Sequence, residues 1–255
     1  MSPKIHSTKD GSSTLYSDKY NQFYHNPNGA ATESIHVFFE TPGLTEHLKT
    51  AEAITILEIG FGTGLNFLLL ADLLKERRIN IPVRFYSIEA FPVDTKTAKG
   101  FDFSDHIKNE ELNSILPDIF HKIEPGMNTL VPIEKLDLEL HLFYGTFDEF
   151  ELEGLQVDHI FHDPFSPEVN EELWTKETFL KLKSFSKLET VLATYCAASK
   201  ARAAMCAADW HVARAQGALG KREMTLASLS AEKLKEFKRV NEEKLAHRYE
   251  IGDFS

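Results

Sequence analysis

Two cysteines, Cys196 and Cys206, are too few in a chain of 255 residues to suggest a disulfide scaffold or a four-ligand zinc site. No apolar run reaches the length that spans a bilayer. The polar N-terminus lacks the apolar core of a signal peptide. We therefore expect a cytoplasmic protein with two reduced core cysteines, no membrane partner and no bound metal.

Positive charge is also scarce, because 28 Lys and Arg residues face 39 Asp and Glu residues, giving a formal net charge of −11. This balance argues against a broad electrostatic surface for nucleic acid, although it leaves room for a local basic strip such as Lys221-Arg222. Hydrophobic residues make up 42% of the chain. This length and composition predict one globular α/β domain with a sizeable core.

Three of the 13 glycines stand close together in the sequence Ile-Leu-Glu-Ile-Gly-Phe-Gly-Thr-Gly-Leu-Asn-Phe, residues 56–67. A β-branched run, alternate glycines and then an apolar helical pattern predict a strand, a tight turn and a helix. Glycine allows positive φ and a close approach of backbone to ligand, and a helix N-terminus offers free N–H groups. The stretch therefore predicts a site for a nucleotide-like ligand.

The spacing of these glycines selects among such ligands. A dinucleotide motif counted from Gly60 would place Leu65 at its last glycine position, and no lysine follows as in a P-loop. The observed form is E-x-G-x-G-x-G, with Glu58 as its acid. It suits a cationic, phosphate-free ligand such as S-adenosylmethionine (SAM), whose ammonium Glu58 would bind directly or through water. Glu89, which ends the next predicted strand, is placed to bind ribose hydroxyls.

Alternating strand and helix patterns predict an α/β fold with a mostly parallel, seven-stranded sheet and helices on both faces. We expect an N-terminal arm and cap region at 1–50, the first 30 residues forming an arm or loop. The SAM-dependent domain is expected at 51–230, with a helical insertion at about 95–135, and a C-terminal helix and tail at 231–255. Predicted strands are 53–59, 83–89, 138–144, 157–162, 190–194, 210–215 and 223–228; predicted helices are 65–77, 177–185, 199–208 and 231–247.

Ligands of parallel sheets bind beyond the carboxyl ends of the strands, where Glu58, Glu89, Gly145 and Asp163 are expected. Asp163 precedes Pro164 at the exit of the predicted strand 157–162. A carboxylate there would accept a hydrogen bond from an amine nucleophile and orient its lone pair for methyl transfer. His159 and His162, also on this strand, are three residues apart. They therefore face opposite sides and make a poor pair of metal ligands.

Six short motifs follow one another along the chain. They are Y-N-Q-F-Y with Gly29 and Glu33-Ser34 (20–34), G-F-G-T-G-L-N-F (60–67), I-E-A-F-P (88–92), F-H-D-P-F-S-P with W-T (161–175), A-T-Y (193–195) and G-K-R-E-M (220–224). In this order they resemble the methyltransferase domain of the MnmC family of tRNA-modifying proteins, over about Tyr16 to Ser228.

The resemblance implies a Rossmann-like SAM-dependent methyltransferase fold. It also implies SAM-dependent N-methylation of 5-aminomethyl-2-thiouridine at the tRNA wobble position, giving 5-methylaminomethyl-2-thiouridine. The expected partner is the tRNA anticodon stem-loop, and a separate enzyme, FAD-dependent or of another kind, would supply the aminomethyl group. No match to the family's oxidoreductase half occurs, so we expect no FAD. The implied catalytic residue is Asp163. Cofactor-binding residues would be Glu58, Gly60, Gly62, Thr63, Gly64, Asn66, Glu89, Gly145 and Thr146, and substrate-binding residues Tyr20, Tyr24, Glu33, Phe165, Lys221 and Arg222.

Two departures from the family pattern leave alternatives open. Thr146 follows Gly145 where an acid for the adenine amino group is common, so that Asp148 or Glu149 would have to substitute, and Pro164 replaces a common glycine. Both departures are compatible with an inactive SAM-binding module. The acidic balance slightly favours a small-molecule or protein amine as the substrate, and the glycine spacing disfavours a nicotinamide dehydrogenase.

Overall fold

A small antiparallel sheet begins the computed structural model, which describes residues 4–254. Its strands are β1 (Lys4–Ser7), β2 (Ser13–Ser17) and β3 (Gln22–Phe23), in the order β1-β2-β3. The prediction of an arm or loop was therefore wrong for this part of the chain. The strands are short and mostly polar, so their sequence lacks the alternation that identifies a half-buried strand. Pairing between the segments decides their conformation.

The helices surround a second, larger sheet. A π-helical segment, Ile35–Glu40, continues the first helix. The α-helices are α1 (Ala30–Ser34), α2 (Leu44–Thr50), α3 (Leu65–Arg77), α4 (Thr95–Ala98), α5 (Ile115–Lys122), α6 (Lys176–Ser184), α7 (Ser199–Ala207) and α8 (Glu242–Glu250). Short 3-10 helices occur at Glu110–Ser114, Glu171–Trp174 and Ala231–Leu234.

The large sheet confirms the predicted α/β class and contains all seven predicted strands. It has nine strands within the described residues, in the order β12-β10-β11-β9-β8-β4-β5-β7-β6. The five strands from β9 to β7 in this order are parallel to one another. The outer strands β11, β10, β12 and β6 pair antiparallel with their neighbours. The strands are β4 (Ile54–Ile59), β5 (Val83–Glu89), β6 (Gly126–Leu130), β7 (Leu138–Tyr144), β8 (Val157–His162), β9 (Ser186–Thr194), β10 (His211–Ala215), β11 (Met224–Ser228) and β12 (Lys238–Arg239).

The two additional strands lie at the edges of the sheet. Strand β6 falls inside the predicted helical insertion and pairs with β7. Strand β12 interrupts the predicted helix 231–247, because Arg239 pairs with Ala213 of β10. Helix α8 begins only after Asn241, whose side chain accepts a hydrogen bond from the N–H of Lys244. The sequence of this charged segment has no clear period and does not predict a strand. The segment becomes a strand because the edge of β10 offers unpaired backbone groups to pair with.

The central strands separate two cores because their side chains alternate between the faces of the sheet. Ile56 and Phe85 pack into the core beneath α1, α2, α3 and α5. Leu57 and Ile160 pack into the opposite core, beneath α6 and α7. Burial on both faces explains why apolar residues occupy consecutive positions in these strands, as at Ile56-Leu57 and Ile160-Phe161.

A close backbone contact joins the loops that follow β4 and β8. Gly60 has φ +95°, and its N–H donates to the carbonyl of Ile88. A Cβ added at Gly60 would lie only 2.9 Å from the backbone oxygen of Asp163. The glycine therefore satisfies two constraints at once: a left-handed conformation and contact with the loop that carries Asp163.

We predict that Gly60→Ala disturbs the site more than its conformational cost alone explains. Gly154→Ala is the matched control, because Gly154 has φ +78° and open space around its Cα. Both variants should lose about 1–2 kcal/mol of unfolding free energy from the left-handed conformation, measured by urea unfolding. Only Gly60→Ala should also lose SAM affinity by calorimetry. Equal SAM affinity in the two variants would contradict this account.

Candidate functional site

The carboxyl ends of the central strands border a cavity of about 280 Å³, here called the first cavity. It brings together ten residues that the sequence predicted for the site. They are Tyr20, Tyr24, Gly60, Gly62, Asn66, Glu89, Gly145, Thr146, Asp163 and Phe165. Residues far apart in the chain thus meet at the edge where parallel sheets bind ligands.

A second cavity of about 280 Å³ adjoins the first. Glu33 and Lys221, both predicted to bind substrate, border this second cavity. The two cavities share Tyr24, His25, Asp163 and Phe165 in their walls. Asp163 therefore lies at the junction of the two cavities. A group transferred between a ligand in one cavity and a ligand in the other would pass this junction.

Glu89 ties the glycine turn to the end of β5. Its two carboxylate oxygens accept hydrogen bonds of 2.8 Å from the N–H groups of Gly62 and Phe91. Burial raises the pKa of Glu89, and these two bonds oppose that rise. Because each carboxylate oxygen can accept more than one hydrogen bond, Glu89 retains acceptor capacity at the wall of the first cavity. That capacity fits the ribose hydroxyls of a nucleoside.

A buried polar chain connects β4 and β5 to the loop after β8. The amide of Asn66, in the first turn of α3, donates to Glu58 Oε1 (2.9 Å) and Asp163 Oδ2 (3.2 Å). The hydroxyl of Ser87 donates to Glu58 Oε2 (2.6 Å). Glu58 is only 1% exposed and borders neither cavity. Glu58 therefore has no direct contact with the first cavity, and it contacts the site only by accepting a hydrogen bond from Asn66.

The carbonyl oxygen of Asn66 tests whether this site fits a cationic cofactor. Asn66 Oδ1 is buried without a hydrogen-bond partner, while the Asn66 side chain borders the first cavity. The nitrogen of the amide donates to Glu58 and Asp163, which leaves the oxygen on the other side of the amide group. An unpaired buried acceptor is costly unless a ligand supplies a donor. The amino-acid ammonium of SAM is such a donor, so the residues fit this cofactor.

Burial dominates the electrostatics of the acids around Asp163. It raises the pKa of Asp163 well above its usual range, and the charges of Glu58 and Glu33 add to that rise. The hydrogen bond from Asn66 and the charge of Lys221 oppose it. Burial likewise raises the pKa of Glu58 to about 8, against the hydrogen bonds from Ser87 and Asn66. A cationic ligand would favour the charged form of these carboxyls.

Aromatic side chains from the N-terminal segment cover the site. The ring of Phe165 lies 4.7 Å from that of Tyr20 and 4.9 Å from that of Tyr24, between centroids. Gln22 and Ser166 hold the same loops together, since the Gln22 amide donates to Ser166 Oγ and the Ser166 N–H donates back to Gln22 Oε1. The N-terminal segment is therefore part of the wall of both cavities.

Four predicted site residues border neither cavity: Glu58, Thr63, Gly64 and Arg222. Thr63 is buried and hydrogen-bonded to His25 Nε2 (2.8 Å), whereas Gly64 caps α3 with φ +80° and Arg222 is exposed.

The turn after β7 provides an acid next to Gly145. The N–H and hydroxyl of Thr146 both donate to Glu149 Oε2. Glu149 is thereby occupied outside the first cavity, whereas Asp148 borders it. Of the two acids suggested as substitutes beside Thr146, Asp148 is the one placed to meet a ligand.

Sequence reasoning missed two residues of the site, His25 and Tyr195. His25 borders both cavities, and burial lowers its pKa to about 4, so that it is neutral at pH 7. The hydroxyl of Tyr195 donates to the carbonyl of Pro164 (2.8 Å) and thereby fixes the loop after Asp163. Tyr195 ends the A-T-Y motif after a predicted strand, a signal that could have identified it. His25 had no such signal beyond its place beside Tyr24.

The two strand histidines lie on opposite faces of the sheet, which confirms their prediction as packing residues. His159 is hydrogen-bonded to His47 on one side, and His162 packs against Trp174 and Phe179 on the other. Among residues 4–254, no group of three or more His, Cys, Asp or Glu side chains is arranged to hold a metal ion. No helix in this described part of the chain is long and apolar enough to cross a membrane.

Comparison with known proteins decides the family. A family model described as "S-adenosyl-L-methionine-dependent methyltransferase" matches residues 109–230. The crystal structure of MnmC2 from Aquifex aeolicus superposes with a TM-score of 0.75 at 26% identity, covering 98% of this chain and 76% of that one. The chain belongs to the SAM-dependent methyltransferases of the MnmC type. Its cofactor is therefore SAM.

Curated relatives agree with this family. The bifunctional tRNA 5-methylaminomethyl-2-thiouridine biosynthesis protein MnmC of Leptospira interrogans is 32% identical over 228 residues, which cover 85% of this chain. The MnmC protein of Cupriavidus metallidurans is also 32% identical, over 84% of this chain. The matched part spans about a third of the length of these relatives, 34% and 32% respectively.

We predict that Glu58 makes the ligand-free protein less stable as the pH rises. Its pKa is 4.5 in its ordinary environment and about 8 in the folded protein, so the folded state retains a proton that the unfolded state loses between these values. Stability linked to Glu58 is thus complete below about pH 4 and is lost as the pH approaches 8. Glu58→Gln, which stays neutral, should show a smaller fall in Tm between pH 5 and pH 8.5 by calorimetry. Parallel Tm profiles for the two proteins would contradict the raised pKa.

Proposed function

We propose that this protein uses SAM to methylate the exocyclic amine of 5-aminomethyl-2-thiouridine at the wobble position of tRNA. The observation that carries the proposal is the position of Asp163 between two adjoining cavities. One cavity offers acceptors for an ammonium and a ribose, and the other is bordered by Glu33 and Lys221. The substrate is supported by the curated relatives, which are bifunctional proteins of tRNA 5-methylaminomethyl-2-thiouridine biosynthesis.

Bound SAM supplies an electrophilic methyl group on a sulfonium. The substrate's nitrogen lone pair forms the new N–C bond while the C–S bond breaks, and the electron pair of that bond stays on the sulfur. A primary alkylamine has a pKa near that of lysine, about 10.4, so it is mostly protonated at neutral pH. Asp163 would accept a hydrogen bond from the amine, orient its lone pair and take the proton that must leave. Burial raises the pKa of Asp163, and the positive charges of SAM and of the substrate would favour the carboxylate form that accepts the proton.

The cofactor is proposed to lie in the first cavity. Asn66 would accept from its ammonium, with Glu58 fixing the amide from behind, and Glu89 would accept from the ribose. Asp148 would contact the adenine amino group beside Gly145 and Thr146. Gly60 and Gly62 would form part of the wall around the cofactor, and Thr63 and Gly64 would position α3.

The modified base is proposed to enter the second cavity. Unstacked bases of single-stranded loops can be received by aromatic side chains, and Tyr20, Tyr24 and Phe165 form such a group here. Glu33 would bind near the substrate ammonium, while Lys221 and Arg222 would contact backbone phosphates of the anticodon stem-loop. A separate enzyme would supply the aminomethyl group, and the reaction would take place in the cytoplasm.

A transfer assay tests this function. Labelled SAM is incubated with the protein and tRNA that carries the aminomethyl group, with the same tRNA lacking the group, and with lysine-rich peptides. We expect label only on the aminomethyl tRNA. Transfer to the peptides alone would favour a protein amine as the substrate. SAM binding without any transfer would favour an inactive binding module.

We predict that Asp163→Asn lowers kcat about 10²–10⁴-fold, the usual range for loss of a general base. Asparagine keeps the size of the side chain but cannot take the proton from the amine. SAM affinity, measured by calorimetry, serves as the control and should stay close to that of the wild type. Wild-type turnover in this variant would remove Asp163 from the catalytic role.

A further inference from the structure

We propose that Lys221 occupies the position of the substrate ammonium, and that a tRNA phosphate must draw it away before the amine can bind. The inference rests on the proposed function and adds a means by which the same site distinguishes tRNA from free amines. Lys221 carries a primary alkylammonium, the same chemical group as the aminomethyl arm of the substrate. The chain thus places its own copy of the reacting group at the wall of the second cavity.

The contacts of Lys221 define this position. Its Nζ lies 2.6 Å from Glu33 Oε1 and 5.2 Å from the centroid of the Tyr195 ring. Asn26 Nδ2 donates to the same oxygen of Glu33 (3.2 Å). Glu33, Lys221, Tyr195 and Asp163 all border the second cavity. A substrate ammonium that approached Asp163 would therefore compete with Lys221 for Glu33.

The two partners differ in their freedom to move. The Glu33 side chain is 12% exposed and lies on α1, whereas that of Lys221 is 41% exposed and lies in the loop between β10 and β11. Arg222, the next residue, is also exposed. Lys221 can therefore turn outward toward a polyanion, together with Arg222, while Glu33 stays in the wall of the cavity.

Charge balance makes the exchange specific for a substrate that carries phosphate. When Lys221 moves to a phosphate, Glu33 would be left as an unpaired and largely buried carboxylate, which is unfavourable unless another cation replaces it. The substrate ammonium is that cation, so tRNA replaces one ion pair by two. A free nucleoside or polyamine brings a cation but no phosphate to receive Lys221. It therefore meets a carboxylate that is already neutralised.

The test compares two substrates in Lys221→Met, which keeps most of the side-chain volume and removes the charge. One substrate is tRNA that carries the aminomethyl group, and the other is the free nucleoside 5-aminomethyl-2-thiouridine, which has no phosphate. We expect kcat/KM to rise about threefold to tenfold for the nucleoside and to fall by a similar factor for tRNA, as suits the loss of one partly exposed ion pair. The salt dependence of tRNA binding should decrease by about one unit of slope.

Two further variants complete the experiment. Lys235→Met is the matched control, because Lys235 forms a pair of the same length, 2.6 Å, with Glu232 on the surface away from both cavities. It should leave both substrates unchanged. Glu33→Gln should lower kcat/KM for both, since each needs the carboxylate. SAM affinity should be unchanged in all three variants, because neither Glu33 nor Lys221 borders the first cavity.

The outcomes separate this inference from the proposed function. If the wild type methylates aminomethyl tRNA but Lys221→Met does not increase methylation of the nucleoside, the proposed function stands and the ion-pair exchange is wrong. A fall of equal size for both substrates would likewise make Lys221 a simple binding residue. If the wild type methylates no tRNA at all, both proposals fail.

Discussion

The amide of Asn66 is the contact on which the geometry of the site depends. It stands in the first turn of α3 and joins Glu58 at the end of β4 to Asp163 after β8. Close backbone packing at Gly60 brings the same two loops together. With both constraints satisfied, the carboxyl of Asp163 is held at the junction of the cavities, and Asn66 Oδ1 is left without a hydrogen-bond partner.

The acids of the site are poorly hydrated, and a nearby cation would stabilise their charged forms. Glu58 is buried, Glu89 and Asp163 are partly buried, and loss of hydration raises the pKa of each. Within an acidic protein, the charged forms of these three carboxyls are unfavourable unless cations lie close to them. The cations that could lie close to these carboxyls are the ammonium and sulfonium of the cofactor, the amine of the substrate and Lys221. The electrostatics of the site are thus matched to ligands that carry positive charge.

The sequence predicted the parallel centre of the sheet well, and it predicted the edges poorly. Strands β5, β7 and β8 and helix α3 have the bounds that the sequence predicted, because apolar segments that end at turn residues identify buried strands and helices. Strands β6 and β12 and the N-terminal sheet had no such signal. Their conformation depends on pairing with a neighbour that local sequence does not reveal.

The sequence by itself determined which chemistry is available: a glycine turn between strand and helix, acids at strand ends, and an aspartate before proline. The tertiary structure decided what each group does, because burial and neighbours are set only when distant segments meet. In the folded protein Glu58 contacts Asn66 and does not border a cavity. Asp148 borders the first cavity, whereas Glu149 is bound to Thr146. His25 and Tyr195 also line the cavities. The tertiary structure also paired Lys221 with Glu33, residues 188 positions apart, which no local pattern could predict.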